Sequence, residues 1–276
     1  MRKLVLRVLW PLTWPVRSYW IHSERKLGKK LLVDRVLKRL MPPLPAGFEA
    51  ELPSGGKVFL HYREDIGLVV FMGGAFEAAE SAAAVKYARP GTVAVDVGAN
   101  VGMFTIPLAL AVGQRGAVLA IEPSPDNVER LKSNVELNEL DNVIIRPLAV
   151  ADRPGELHLH LAADPAFHST TTVAEARAVG ETVVVRAETL DVLWEEAGSP
   201  LVSLVKVDTE GGELAVLRGA ERLFERCRPL LLVEAKSDER ILDEWLVPRG
   251  YSRTRPPGFA VGNFLCVPAG LPAEGP

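Results

Sequence analysis

The chain has 276 residues, 48% of them hydrophobic and 24% charged, with a formal net charge of −3. Such a composition suits a globular fold with a sizeable core and provides no whole-protein basic field for nucleic acid. Cys227 and Cys266 stand far apart and outside any CxxC pattern, which argues against a disulfide framework or a zinc site and fits a reducing cytoplasm.

The first segment, residues 1–45, is basic. It holds eleven lysines and arginines against only Glu24 and Asp34, interleaved with Trp10, Trp14 and Trp20. No run approaches the roughly 20 uncharged apolar residues of a spanning helix. Pro11 and Pro15 interrupt the apolar part, and a signal-peptide core is missing. Two readings stay open. Residues 1–41 could lie on the inner face of a membrane, with tryptophans at headgroup depth and basic side chains on anionic lipid. Alternatively, the segment is a helical extension packed on its own domain or on a second subunit.

PPLPAG, residues 42–47, ends that segment. A short β region is expected over about 48–71, turning at Gly55-Gly56, and alanine-rich residues 77–88 predict a helix ended by Pro90-Gly91. Strand and helix then alternate. TVAVDV is a strand and VGMFTIPLALAV a helix; GAVLAIEP is a strand and SPDNVERLKSNVELN a helix, with Ser124 as N-cap and Pro125 at N1. NVIIRPLAV reads as one strand, GELHLHLA as an inserted antiparallel strand, and residues 162–181 as irregular. TVVVRA is a strand, and Thr189 caps the helix LDVLWEEAG. LVSLVKVD reads as a strand buried on both faces, GELAVLRGAERLF as one helix, RPLLLVEA as a strand and DERILDEWLVPRG as a helix. RTR and GNFLCV close the chain as β segments. This alternation predicts a mostly parallel sheet with helices on both faces. The expected organisation is an extension (1–45), a lead-in (46–90), a main domain (91–268) and a loose tail (269–276).

Three stretches carry chemistry. In VDVGANVG a strand delivers Asp96 at its carboxyl end, and Gly98 and Gly102 allow a tight turn and close approach to a ligand. With Asn100 between them the spelling is GxNxG, shorter than the GxGxxG cradle of a pyrophosphate. The next strand ends in Glu122, placed to accept hydrogen bonds from both ribose hydroxyls, a geometry that serves NAD and S-adenosylmethionine (SAM) equally. LVKVDTEGGE sets Lys206, Asp208 and Glu210 at alternate positions. In an extended segment that spacing puts them on one face. His158 and His160 alternate on one strand without a third ligand at a diagnostic metal spacing, so no metal is expected. All three histidines read as ordinary strand or loop residues, with His168, in the candidate substrate loop PAFHSTTT, kept as an alternative general base.

VDVGANVGMFT, AIEPSPDNVERLKSNVELN, KVDTEGGELAVLRGAERL and RPLLLVEA, in that order, resemble the successive blocks of the FkbM-family SAM-dependent methyltransferases, over about residues 70–266. The resemblance implies a class I methyltransferase fold: a Rossmann-like, seven-stranded, mostly parallel sheet with an antiparallel last strand. It implies O-methylation of a hydroxyl on a sugar, glycolipid or secondary metabolite. Carried over by residue, Asp96, Gly98, Asn100 and Gly102 contact the methionine part of SAM and Glu122 holds the ribose, with Ser124 nearby. Ala149 falls on the adenine-side loop, and Glu77 faces cofactor or substrate. Lys206, Asp208 and Glu210 lie near the transferred methyl, and Glu234 ends the next strand at the same rim. Glu210 is the first choice for a general base, ahead of Asp208 and Glu234. The family often places a histidine just after the last glutamate, where this chain has Ala235 and Lys236. Rival readings are an NAD-linked oxidoreductase and a non-catalytic, membrane-peripheral module that keeps the pocket.

Overall fold

The computed structural model describes residues 47–62, 64–162, 178–235 and 239–270. The basic segment 1–45, His168 with most of the irregular stretch 162–181, Lys236 and the tail 271–276 fall outside them. The chain divides into two units, one of Phe59–Phe76 together with the chain up to Ala50, the other of Glu51–Val58 and Glu77–Pro276.

In the smaller unit, Phe48, Tyr62 and Phe71 pack their rings together, with centroids 4.6 to 5.6 Å apart. Strands β1 (Gly47–Glu51) and β2 (Lys57–His61) pair as a two-stranded sheet. The β region expected up to residue 71 stops there, because Asp65–Gly73 is a helix, α1. Its apolar run, DIGLVVFMG, lacks the alternation that separates a strand from a buried helix. Gly74 ends it in the left-handed conformation (φ 82°), donating to the Val70 carbonyl.

The larger unit starts with α2 (Ala78–Tyr87) and builds the seven-stranded sheet expected from the resemblance. Its strands are β3 (Val93–Val97), β4 (Ala117–Ile121), β5 (Val143–Arg146), β9 (Val202–Val207), β10 (Leu230–Glu234), β11 (Tyr251–Thr254) and β12 (Asn263–Pro268), in the order β11-β12-β10-β9-β3-β4-β5. β12 runs antiparallel to both neighbours, while the pairs among β10, β9, β3, β4 and β5 are parallel. Helices α3 (Thr105–Val112) and α4 (Pro125–Leu137) follow β3 and β4. A core of Val95, Leu119, Val205, Leu231, Phe224 and Trp245 joins the sheet to α5 (Leu190–Glu196), α6 (Glu213–Arg218), α7 (Glu221–Cys227) and α8 (Glu239–Leu246). All six residues of β9 are buried, as its continuous apolar run predicts.

Two continuous elements of the sequence reading are split. The strand NVIIRPLAV breaks at Pro147, which has no amide hydrogen to continue a ladder. Its second half, β6 (Ala149–Val150), enters a separate three-stranded sheet, β6-β8-β7, where β7 (Gly155–Ala162) and β8 (Ala178–Glu188) pair antiparallel. The helix GELAVLRGAERLF breaks between α6 and α7 at Gly219, whose absent side chain leaves room for the Ala151 carbonyl. Thr189 caps α5 as expected, accepting from the Val192 amide at 3.2 Å. Ser124 takes the N-cap position of α4 without a side-chain cap bond. Among the described residues no single helix is long and apolar enough to cross a membrane.

Candidate active site

The turn after β3 is held from several sides. The amides of Gly98 and Ala99 both donate to the Ile121 carbonyl, at 2.9 and 3.0 Å. From α4, the Asn134 amide nitrogen donates to the Val101 carbonyl at 2.8 Å. Gly98 (φ 78°), Asn100 (φ 50°) and Gly102 (φ 99°) are all left-handed, and an asparagine tolerates that region better than most side chains. A side chain on Gly98 would strike the Asp208 carbonyl, and one on Gly102 would press on Leu131 and Ile106. The close approaches that exclude side chains here are therefore to the chain itself.

Asp96 is fully buried at the end of β3. Its Oδ2 accepts from the Thr105 hydroxyl at 2.6 Å, and its Oδ1 lies 3.5 Å from the Lys206 ammonium with no hydrogen-bond partner of its own. Lys206 donates to the Gly98 carbonyl at 3.1 Å, sits 3.4 Å from Asp208 and lies 5.0 Å from the centre of the Phe104 ring. Burial alone would drive its proton off. The negative charges of Asp208, Asp96, Glu77 and Glu234 outweigh burial and raise its pKa, so Lys206 stays charged.

Glu122 is buried at the end of β4. Its Oε2 accepts from the Asn100 amide at 2.8 Å, and its Oε1 from the Ser124 amide at 2.9 Å and the Asn127 side chain at 3.4 Å. Burial raises its pKa, and the two backbone donors, Asn127 and Lys206 pull against that rise. A carboxylate offers about four acceptor positions. Three are used here, which leaves room for one ribose hydroxyl rather than the two expected from the sequence, unless the long Asn127 bond yields.

β9 ends at Val207, so the alternating spacing of Lys206, Asp208 and Glu210 does not run along one strand. Asp208 and Glu210 (φ 54°) lie in the loop beyond it. That loop is tied by Glu213, whose Oε1 accepts from the Thr209 amide and hydroxyl and from the Gly211 amide at 2.8 to 3.2 Å. The loop still brings the acids together. Asp208, Glu210 and Glu234 each place one oxygen within 4.8 Å of the others. Lys206 already supplies a positive charge beside this group, and no metal is assigned to it.

Glu77, Glu80, Phe104, Lys206, Asp208, Glu234 and Asn263 line one recess. Asn263, opposite Glu234 across the β10–β12 pair, donates its amide to both Glu77 and Glu80 at 3.1 Å. Burial, then repulsion from Asp208, pushes the Glu77 carboxyl up to about 7, with Lys206 and Asn263 opposing and Glu80 adding to the rise.

The structure thus gathers Asp96, Gly98, Lys206, Asp208, Glu210, Glu234 and Glu77 around the carboxyl ends of β3, β9 and β10, and Asn100, Glu122 and Ser124 at the end of β4. Ala149 opens β6 three residues past the end of β5, where it pairs with Ala187 and packs with Ala151, Leu159 and Val185. The sequence reading missed Thr105, Phe104, Asn127, Glu80, Glu213 and Asn263. Only Glu213, an acid at the start of a helix just past a Gly-Gly pair, carried a local signal.

A family model described as the methyltransferase FkbM domain matches residues 96–252. Among curated proteins, a methyltransferase 1 of Beauveria bassiana is 28% identical over 144 residues, covering 46% of this chain and 57% of that protein. A probable cobalt-precorrin-6B C(15)-methyltransferase (decarboxylating) of Sulfurisphaera tokodaii is 45% identical over 51 residues, covering 18% and 27%. The matches therefore span less than two thirds of either relative. Among solved structures, a methyltransferase FkbM from Methylobacillus flagellatus is 17% identical with a TM-score of 0.44, covering 68% of this chain and 50% of that one. The TYW2 protein of M. jannaschii, solved in complex with AdoMet, is 18% identical with a TM-score of 0.44, covering 82% and 85%.

Proposed function

Because this chain belongs to the FkbM methyltransferase family, we propose that it transfers a methyl group from SAM to a hydroxyl of a sugar, glycolipid or secondary metabolite. The observation that carries this reading is the trio Asp208, Glu210 and Glu234, whose oxygens converge within 4.8 Å at the end of adjacent strands. Carboxylates only accept hydrogen bonds when ionised, so a converging set of them suits an acceptor that presents hydroxyl donors.

The residues fit the donor. Asp96 Oδ1, buried beside the glycine turn with the Lys206 ammonium 3.5 Å away, makes no hydrogen bond among the described residues and keeps acceptor capacity for an amino group at that turn. Glu122 retains one acceptor position for a ribose hydroxyl. Asp96, Gly98, Asn100 and Gly102 would hold the methionine end, Glu122 and Ser124 the ribose, and Ala149 the adenine side. When bound, SAM supplies an electrophilic methyl on a positively charged sulfur. The surrounding acids favour that positive charge, and Lys206 keeps their mutual repulsion in check. Asp208, Glu210 and Glu234 orient the hydroxyl, and much of the rate comes from such positioning.

A tritiated-methyl assay against a panel of methyl glycosides and aliphatic alcohols, with the product linkage read by NMR, tests the proposal. An O–CH3 ether is expected; label on nitrogen or carbon would refute the hydroxyl acceptor. We further propose, from sequence alone, a cytoplasmic protein peripheral to the inner membrane face through residues 1–41. Co-sedimentation of the intact chain with phosphatidylserine vesicles, lost on deleting 1–41, is the expected result; no binding by the intact chain would remove the anchor.

A further inference from the structure

Glu77 is an uncommon choice for its backbone position. It precedes α2 in the left-handed region (φ 45°) and makes no side-chain cap bond to the helix. A non-glycine residue held there costs of order 1 kcal/mol or more, and persists where its surroundings fix it. What fixes it is the recess: its Oε1 accepts from Asn263, and it faces Lys206, Asp208 and Glu234 across the same hollow. Asn263 is shared with Glu80, itself buried and held by the Ala260 amide. Glu77 therefore has one oxygen tied and a fixed orientation into the space between the strand ends. Glu210 approaches Asp208 and Glu234 from the loop beyond β9, outside the recess wall that Glu77 forms.

Resting on the O-methyltransferase reading, we propose that Glu77 is the proton acceptor of the reaction, taking the hydroxyl proton as the oxygen attacks the methyl carbon. The O–H bond breaks and the O–C bond forms. The electron pair of the broken C–S bond stays on sulfur, which becomes a neutral thioether, and the proton rests on the Glu77 carboxyl. Asn263 positions Glu77 through the oxygen it binds. The charged groups facing Glu77 are Asp208 and Lys206 from the β9 end and Glu80 from α2, with Glu234 of β10 at the same recess. Their balance with burial places the carboxyl at about 7, where about half of it is ionised at neutrality and the base is strong enough to act. This assigns the proton to Glu77 rather than to Glu210, the expectation from the sequence.

The test has two readouts on the full chain. The first needs no acceptor: NMR titration of carboxyl-labelled glutamate should show one resonance titrating near pH 7 that is missing from Glu77→Gln. The second is methyl transfer to whichever alcohol of the panel the wild type accepts. Glu77→Gln should lower kcat by about 10²-fold or more, abolish the ionisation near pH 7 in the kcat profile, and leave S-adenosylhomocysteine affinity unchanged. A Glu77 that titrates in the ordinary carboxylate range, or a Gln variant of full kcat, would overturn the proposal. If Glu210→Gln lost the rate while Glu77→Gln kept it, the base would be Glu210. A wild type that methylates no alcohol would strike the O-methyl reading itself, and is seen before any variant is compared.

Discussion

Lys206 is the residue on which the site's charge balance turns. Its ammonium is buried with Asp96 and Asp208 beside it. Removing one partner of a buried ion pair leaves the other charge uncompensated, which costs about 3–5 kcal/mol. Lys206→Met should therefore lose stability of that order in urea unfolding, whatever its effect on activity. A loss under 1 kcal/mol would show the acids to be better solvated than their burial indicates. Glu122 serves two purposes, since it ties the Asn100 and Ser124 amides besides offering a ribose acceptor. Glu122→Ala should then weaken S-adenosylhomocysteine binding and also lower the unfolding midpoint; an unchanged midpoint would mean that the loop holds without it. Glu77 gives a pH signature. Its carboxyl is raised from 4.5 to about 7 on folding, so the folded state binds the extra proton. That contribution is fully present below about pH 4.5 and is lost as pH rises through 7. Glu77→Gln should match the wild type at low pH and exceed it above pH 7, by up to roughly 3 kcal/mol.

At the scale of elements, the strands were legible where burial on both faces left an unbroken apolar run, as in β9 and β10. β3 and β4 were legible from their apolar runs into Asp96 and Glu122. The helix α1 was not, because its apolar residues have neither period. The splits at Pro147 and Gly219 were hidden for another reason: each is decided by a distant partner, the β6–β8 pairing in one case and the Ala151 carbonyl in the other. The same holds within the site. Asp96, Glu122, Lys206, Asp208 and Glu234 stand at strand ends, where topology alone gathers them. Thr105, Asn127 and Asn263 act through contacts that no local pattern announces, and Asn263 meets Glu77 across 186 positions of chain. The glycine turn was legible as a turn, but its reason differs: Gly98 makes room for Asp208. Gly98→Ala adds that collision to a left-handed backbone, and should cost at least about 2 kcal/mol by thermal or urea unfolding. A neutral result would mean that the two loops separate freely.

Across the whole molecule, the family's sheet places its acids on one rim, and the antiparallel β12 completes that rim by bringing Asn263 opposite Glu234. The carboxyl ends of a parallel sheet are where such folds bind ligands. This chain loads them with four acids around one lysine, Asp96, Asp208, Glu77 and Glu234, and sets Glu210 beside two of them. That concentration of negative charge suits a cationic donor and a hydroxylated acceptor together, and it is the central claim. The most direct measurement is a crystal structure of the chain with S-adenosylhomocysteine. The expected result has a ribose hydroxyl on Glu122, the amino group near Asp96, and the sulfur facing the space between Glu77, Asp208 and Glu234. A sulfur pointing away from those carboxylates, or a ribose that does not touch Glu122, would contradict it.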